Sequence, residues 1–111
     1  MTNFTQDQIT EIVAEARKQA RVAAEQALGE DGDRDACGFA WCSIYNIKGN
    51  TRLGKMLKAA GLRQSWNRSW EIWNPSGLSV QSVGVLEAGA YAAAGVFRQH
   101  GFEAYANGRL D

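Results

Sequence analysis

Residues 37–52 read CGFAWCSIYNIKGNTR, and the reading of this stretch decides the fold. Phe39, Trp41, Ser43 and Tyr45 alternate with Ala40, Cys42 and Ile44. A period of two sends the two sets to opposite faces of a strand. Both sets are largely apolar, which predicts a central strand covered on at least one side. One face carries large rings and the other small groups. The small face suits a closely packed helix. The aromatic face needs another cover, or it is a binding surface.

The strand ends at Asn46-Ile47-Lys48-Gly49-Asn50. Asn50 is the expected N-cap of a helix, because its side-chain oxygen can accept a free backbone N–H. Leu53, Met56, Leu57 and Ala60 recur at helical spacing, and Gly61 fits the left-handed position just beyond the end. A helix start beside Lys48, Thr51 and Arg52 is a candidate anion site. It lacks the second Gly and the Gly-Lys-Ser/Thr ending of a P-loop, so an ordinary capped helix is the plain alternative.

At 111 residues the chain is expected to be one domain with a modest core. Its parts are an N-terminal helix over 1–29, an acidic linker over 30–36, and an α+β core over 37–111. No apolar run is long enough to span a membrane, and no signal peptide is recognisable, so a cytoplasmic location is expected. The two cysteines then read as free thiols; Cys37 and Cys42 sit five apart on a strand and face opposite ways. The net charge is zero but unevenly spread. Residues 1–35 hold eight acids against four bases, whereas residues 36–75 hold six bases against Glu71 alone. A neutral chain with a local basic region fits an anionic ligand better than general DNA binding.

The N-terminal helix has strong start signals. Thr5 and Gln8 form a capping box, and Phe4 and Ile9 occupy the staple positions around it. Ile9, Val13, Ala16, Ala20, Ala23 and Ala27 make a narrow stripe of small residues, with Gly29 as the stop. Such a stripe must pack on something, either its own sheet or another copy of the chain. Asp31, Asp33 and Asp35 have the opening spacing of a calcium loop. Ala36 stands where that loop needs Gly, and Cys42 where it needs Glu, so a solvated acidic linker is expected. Residues 62–66 and 70–74 read as a hairpin around Asn67-Arg68-Ser69. Pro75-Ser76-Gly77 breaks it. Ser79 or Ser82 caps a last helix running to about Gln99, with Val83, Leu86, Ala90, Ala94 and Phe97 as its core stripe. Residues 102–106 make a final strand, and 107–111 a polar tail.

This order predicts an α+β fold, a ferredoxin-like split βαβ (βαββαβ) sheet with an extra N-terminal helix. The alternative is a small three-stranded α/β sheet, if 62–66 is loop.

Residues 37–111 resemble a family of short proteins encoded by bacteriophages. The resemblance rests on Gly38-Phe39-Ala40-Trp41, on Thr51-Arg52 with Leu57-Lys58, and on Gln81-Ser82 with Glu87-Ala88. The endings Ala104-Tyr105-Ala106 and Arg109-Leu110-Asp111 complete it. The chain departs from the family pattern at Asn67-Arg68-Ser69, where a Gly-rich turn is usual, and its last helix carries less charge. The resemblance implies a phage origin and action in host cytoplasm, and no particular reaction.

His100, the single histidine, sits at a helix end where it can bond the last carbonyls. No acid or nucleophile accompanies it in sequence, and no ligand set for zinc is present. No catalytic residue, metal or cofactor is therefore expected. The rings are the larger signal. Phe39, Trp41 and Tyr45, with Tyr105 and a tryptophan, are core beneath the N-terminal helix, a subunit interface, a stacking platform for single-stranded nucleic acid, or a wall for a nucleotide-like ligand. The candidate ligand-binding residues are Trp41, Asn50, Thr51, Arg52, Gln81, Ser82, Tyr105, Arg109 and Asp111. The expected function is non-catalytic binding, with sequestration, of an anionic nucleotide-like small molecule by a homo-oligomer joined through the N-terminal helix. The alternatives are a single-stranded nucleic-acid binder and a small phosphohydrolase or nuclease.

Overall fold

The computed structural model describes residues 3–33 and 36–111. The elements in order are α1 (Gln6–Asp31), β1 (Gly38–Tyr45), α2 (Arg52–Ala59), β2 (Arg63–Gln64), β3 (Trp70–Trp73), α3 (Val83–Gln99) and β4 (Glu103–Leu110). The fold is mixed α+β: three helices and one four-stranded sheet in the order β2-β3-β1-β4. All three neighbouring pairs are antiparallel. The three-stranded alternative is set aside, because residues 63–64 do pair, Arg63 with Glu71 and Gln64 with Trp70.

The period-two alternation in β1 works out as two unlike faces. Ala40, Cys42 and Ile44 are buried, together with Trp70 and Ile72 of β3 and Ala104 of β4. Over them lies one core joining Ile9, Ile12, Val13, Ala16 and Ala20 of α1, Met56 and Leu57 of α2, and Ala93, Ala94, Val96 and Phe97 of α3. All three helices thus cover one face of the sheet. α3 lies on β1 and β4, and α1 packs along α3. Small residues let the two helices cross closely: a Cβ on Gly89 would come within 3.2 Å of the Ala20 carbonyl oxygen and 3.0 Å of the Ser76 Cβ.

α1 begins as its sequence predicts. Thr5 Oγ1 accepts from the Gln8 N–H, and Gln8 Oε1 accepts from the Thr5 N–H. Phe4 is buried and stacks on Phe102, ring centroids 5.4 Å apart. The helix runs past Gly29 to Asp31 and is capped by Gly32, whose φ of 72° suits glycine. Its buried stripe turns from the expected seam: Ala24 is buried, and Ala23 and Ala27 are only partly so. That stripe is spent inside its own chain, so an oligomer joined through α1 would have to use another face of the helix.

The acidic linker is also shorter than expected. Asp33 is tied down: its carboxylate accepts from the Ser82 N–H at 2.7 Å and from the Gln81 N–H at 3.3 Å. Asp35, the third acid of the calcium-like spacing, lies outside the described residues, and no group of acids, cysteines or histidine among the described residues is placed to hold a metal. Both α2 and α3 end on a glycine with positive φ, Gly61 at 102° and Gly101 at 90°. The N–H groups of Leu62 and Phe102 return to the Leu57 and Phe97 carbonyls, 3.1 Å in each case, which closes each helix with a Schellman motif.

Candidate functional site

Among the described residues, no helix lies over the second face of the sheet. Along β1 it presents Phe39, Trp41, Ser43 and Tyr45. Glu71 and Trp73 on β3 and Tyr105, Asn107 and Arg109 on β4 lie in register beside them. Phe39 is 41%, Trp73 43% and Tyr105 50% exposed, so this face is open rather than core. The expectation that the rings lie beneath the N-terminal helix is corrected: α1 covers the opposite face, because the smaller even-numbered residues of β1 admit helices more closely.

The rings are ordered by the ladder. The Asn74 N–H bonds to the Ala40 carbonyl at 2.9 Å. The next pair, Trp41 and Trp73, therefore lacks ladder hydrogen bonds and approaches closely. Their indoles stack, with centroids 4.6 Å apart and planes 21° from parallel. Phe39 meets Trp73 edge-on at 6.3 Å, and Tyr45 and Tyr105 lie 5.9 Å apart. The Arg109 guanidinium sits 5.4 Å from the Phe39 ring centre and 6.0 Å from Trp73. Polar groups pin the floor. Asn107 Nδ2 donates to Ser43 Oγ at 2.8 Å, and Trp73 Nε1 donates to Glu71 Oε1 at 3.2 Å.

A hollow of about 370 Å³ stands on this face, walled by Trp41, Trp73, Asn107 and Arg109 on one side and by Ser65, Trp66 and Asn67 of the β2–β3 loop on the other. Trp66 is 95% exposed at the tip of that loop. The loop is braced: the Ser65 N–H donates to the Ser69 carbonyl at 2.8 Å, and Asn67 Oδ1 accepts from the Ser69 N–H at 3.1 Å. A second hollow of about 730 Å³ shares Tyr45, Asn67 and Ser69 with the first and continues to Asn46, Lys48, Asn50, Gln64 and Arg68. Its floor is fixed by Trp70, whose indole N–H donates to the Ile47 carbonyl at 2.8 Å from the buried side of the sheet.

The nine candidate residues fall in three places. Trp41, Tyr105 and Arg109 come together on the open sheet face. Asn50, Thr51 and Arg52 lie at the start of α2. The cap there is Thr51, one residue later than expected: its hydroxyl accepts from the Gly54 N–H and donates to the Lys48 carbonyl at 2.6 Å. That leaves Asn50 free to line the second hollow, while Arg52 is exposed in the first helical turn. Gln81, Ser82 and Asp111 gather at the far end of β1. Ser82 is buried and caps α3, accepting from the Val85 N–H. Gln81 and Asp111 line a third hollow of about 410 Å³ with Cys37, Phe39 and Trp73. Thr51 and Ser82 thus have structural duties that occupy their hydroxyls.

Six non-aromatic residues of the aromatic hollow were not among the candidates: Ser43, Ser65, Asn67, Ser69, Glu71 and Asn107. Asn107-Gly108 is a turn dipeptide and ends a strand when read alone. Here β4 runs through it to Leu110, and the Glu87 side chain of α3 lies where a Cβ at Gly108 would go, so a larger residue there would have to displace that side chain. Continuing the alternation from Tyr105 would have placed Asn107 and Arg109 on the same face. His100 lies elsewhere, in a groove with Phe4, Glu11 and Glu15 on the helical side. No family model, curated protein or solved structure matches the chain.

Proposed function

We propose that this protein is a non-catalytic binder of an anionic, nucleotide-like molecule, whose base stacks on the open aromatic face and whose charge meets Arg109. The observation that carries the proposal is the uncovered sheet face, on which a stacked pair of indoles and an arginine share one hollow. A flat π-system gains about 1–3 kcal/mol from each such stack, and a guanidinium held over rings by cation–π contact keeps its donors for an oxyanion. The arrangement of the chain supports a split βαβ fold of the ferredoxin kind. β3 lies between β1 and β2, and β1 lies between β3 and β4, so each helical crossover joins parallel strands two positions apart, with one antiparallel strand between them. On the resemblance of residues 37–111 to phage proteins, the binding would serve to withhold a host nucleotide in the cytoplasm.

Native mass spectrometry of freshly purified protein, followed by denaturing release, tests the proposal. A discrete added mass that absorbs near 260 nm supports it. A second copy seated on the same rings is the rival occupant. A dimer that carries no adduct, and that Trp73→Ala converts to monomer, would replace the proposal with a subunit interface.

A further inference from the structure

Resting on that stacking site, we infer that the ligand is a phosphodiester-linked pair of nucleotide units, free or as part of a single strand, rather than one nucleotide. The two hollows meet along Tyr45, Asn67 and Ser69, and their volumes, about 370 and 730 Å³, each fall within the range of about 300–1,000 Å³ typical of small-ligand sites. A mononucleotide on Trp41 and Trp73 leaves the larger hollow unused.

The chemistry of the two differs in the way that two linked units need. The first offers ring faces and Arg109. The second is lined by Lys48 and Arg68 and by the side-chain amides of Asn46, Asn50, Gln64 and Asn67, with no acid among its lining residues. Cations suit a phosphodiester, and the Asn50 amide offers the paired donor and acceptor that a base edge requires, whereas Gln64 Nε2 already donates to the Arg68 carbonyl and Asn67 Oδ1 already accepts from the Ser69 N–H. Glu103 lies near the rim, and Asn46 Nδ2 donates to it. Glu71 in the first hollow is engaged by the Trp73 indole. Trp41 and Lys48 are seven residues apart, and the strand portion from Trp41 to Tyr45 alone covers about 13 Å at a strand's rise per residue. The Arg68 backbone is fixed at φ 68°, its N–H donating to the Ser65 carbonyl at 2.9 Å.

Intrinsic tryptophan fluorescence reads the site directly, since Trp66 and Trp73 are exposed. The probes are AMP and UMP, the dinucleotides pApA and pUpU, and oligoadenylate and oligouridylate of about twelve residues, compared first at one ionic strength and then across a salt series. The expected result is dinucleotide binding about tenfold tighter than mononucleotide, or more. A Lys48→Ala/Arg68→Asn double variant of unchanged melting temperature should bring the dinucleotide back to the mononucleotide value. Asn at 68 tolerates the left-handed backbone. An oligonucleotide no tighter than the dinucleotide makes the ligand a free dinucleotide. A tighter one that weakens steeply with salt makes it a strand. Equal affinity for one and two units overturns this inference and leaves the stacking proposal standing. No response to any of the probes overturns both.

Discussion

At the residue scale, the two thiols separate cleanly. Cys37 is exposed and its Sγ lies 3.2 Å from Gln81 Oε1, whereas Cys42 is buried beneath the helices. Burial pushes the Cys42 thiol up from 9.0 to about 12, against a weaker pull downward from the Arg98 charge. A thiol reagent at pH 8 should therefore modify one cysteine rapidly and the second only on unfolding; fast modification of both would contradict the burial. The fold holds the neutral thiol, so its contribution is whole below pH 9 and is lost as the pH rises toward 12. Denaturant melts of Cys42→Ala against the parent chain should show the parent losing more stability over that window. Gly54 offers a second test. A Cβ there would strike the Lys48 carbonyl and come within 3.1 Å of the Gly49 Cα. Gly54→Ala should cost about 1–3 kcal/mol in urea unfolding, despite the better helix propensity of alanine.

At the scale of elements, the β2–β3 hairpin does more than extend the sheet. β2 is only two residues long, yet it carries the loop that walls the aromatic hollow. Trp66 makes up part of that wall while 95% exposed, so it stabilises little in the free protein. Trp66→Ala should leave the unfolding free energy within about 0.5 kcal/mol of the parent and weaken ligand binding by about 1–3 kcal/mol. An unchanged affinity would remove this loop from the site. The α1 cap belongs to the same scale. Thr5→Ala breaks a reciprocal pair of hydrogen bonds and should cost about 1 kcal/mol.

At the scale of the molecule, one layer of helices covers one face of the sheet. α1 supplies Phe4, Ile9, Ile12, Val13, Ala16 and Ala20 to a core it shares with every other helix. Removing residues 1–31 would bare α3 along its length. The truncated chain should bind a hydrophobic dye and lose its cooperative melt, whereas a folded, soluble product would mean that α1 is an appendage. The open face is the converse case. Five rings stay partly exposed in the free chain, a surface of the kind that marks a binding site.

The sequence by itself determined the elements whose signals are local. The capping box of α1, the alternation of β1, the hairpin, and the glycine stops of α2 and α3 were legible because each depends on residues within one or two turns of each other. The identity of the two β1 faces was legible for the same reason. The small face was already marked for a helix; only the tertiary structure decided that the N-terminal helix joins the others there. It decided too that β4 runs through Asn107-Gly108 to bring Arg109 onto the rings, and that Lys48 and Arg68 flank one hollow. These depend on contacts between distant parts of the chain: Glu87 against Gly108, Asp33 on the start of α3, Trp70 on the Ile47 carbonyl. Local periodicity carries no record of such contacts, because it fixes the direction of a side chain relative to its neighbours in the chain and not what that side chain meets.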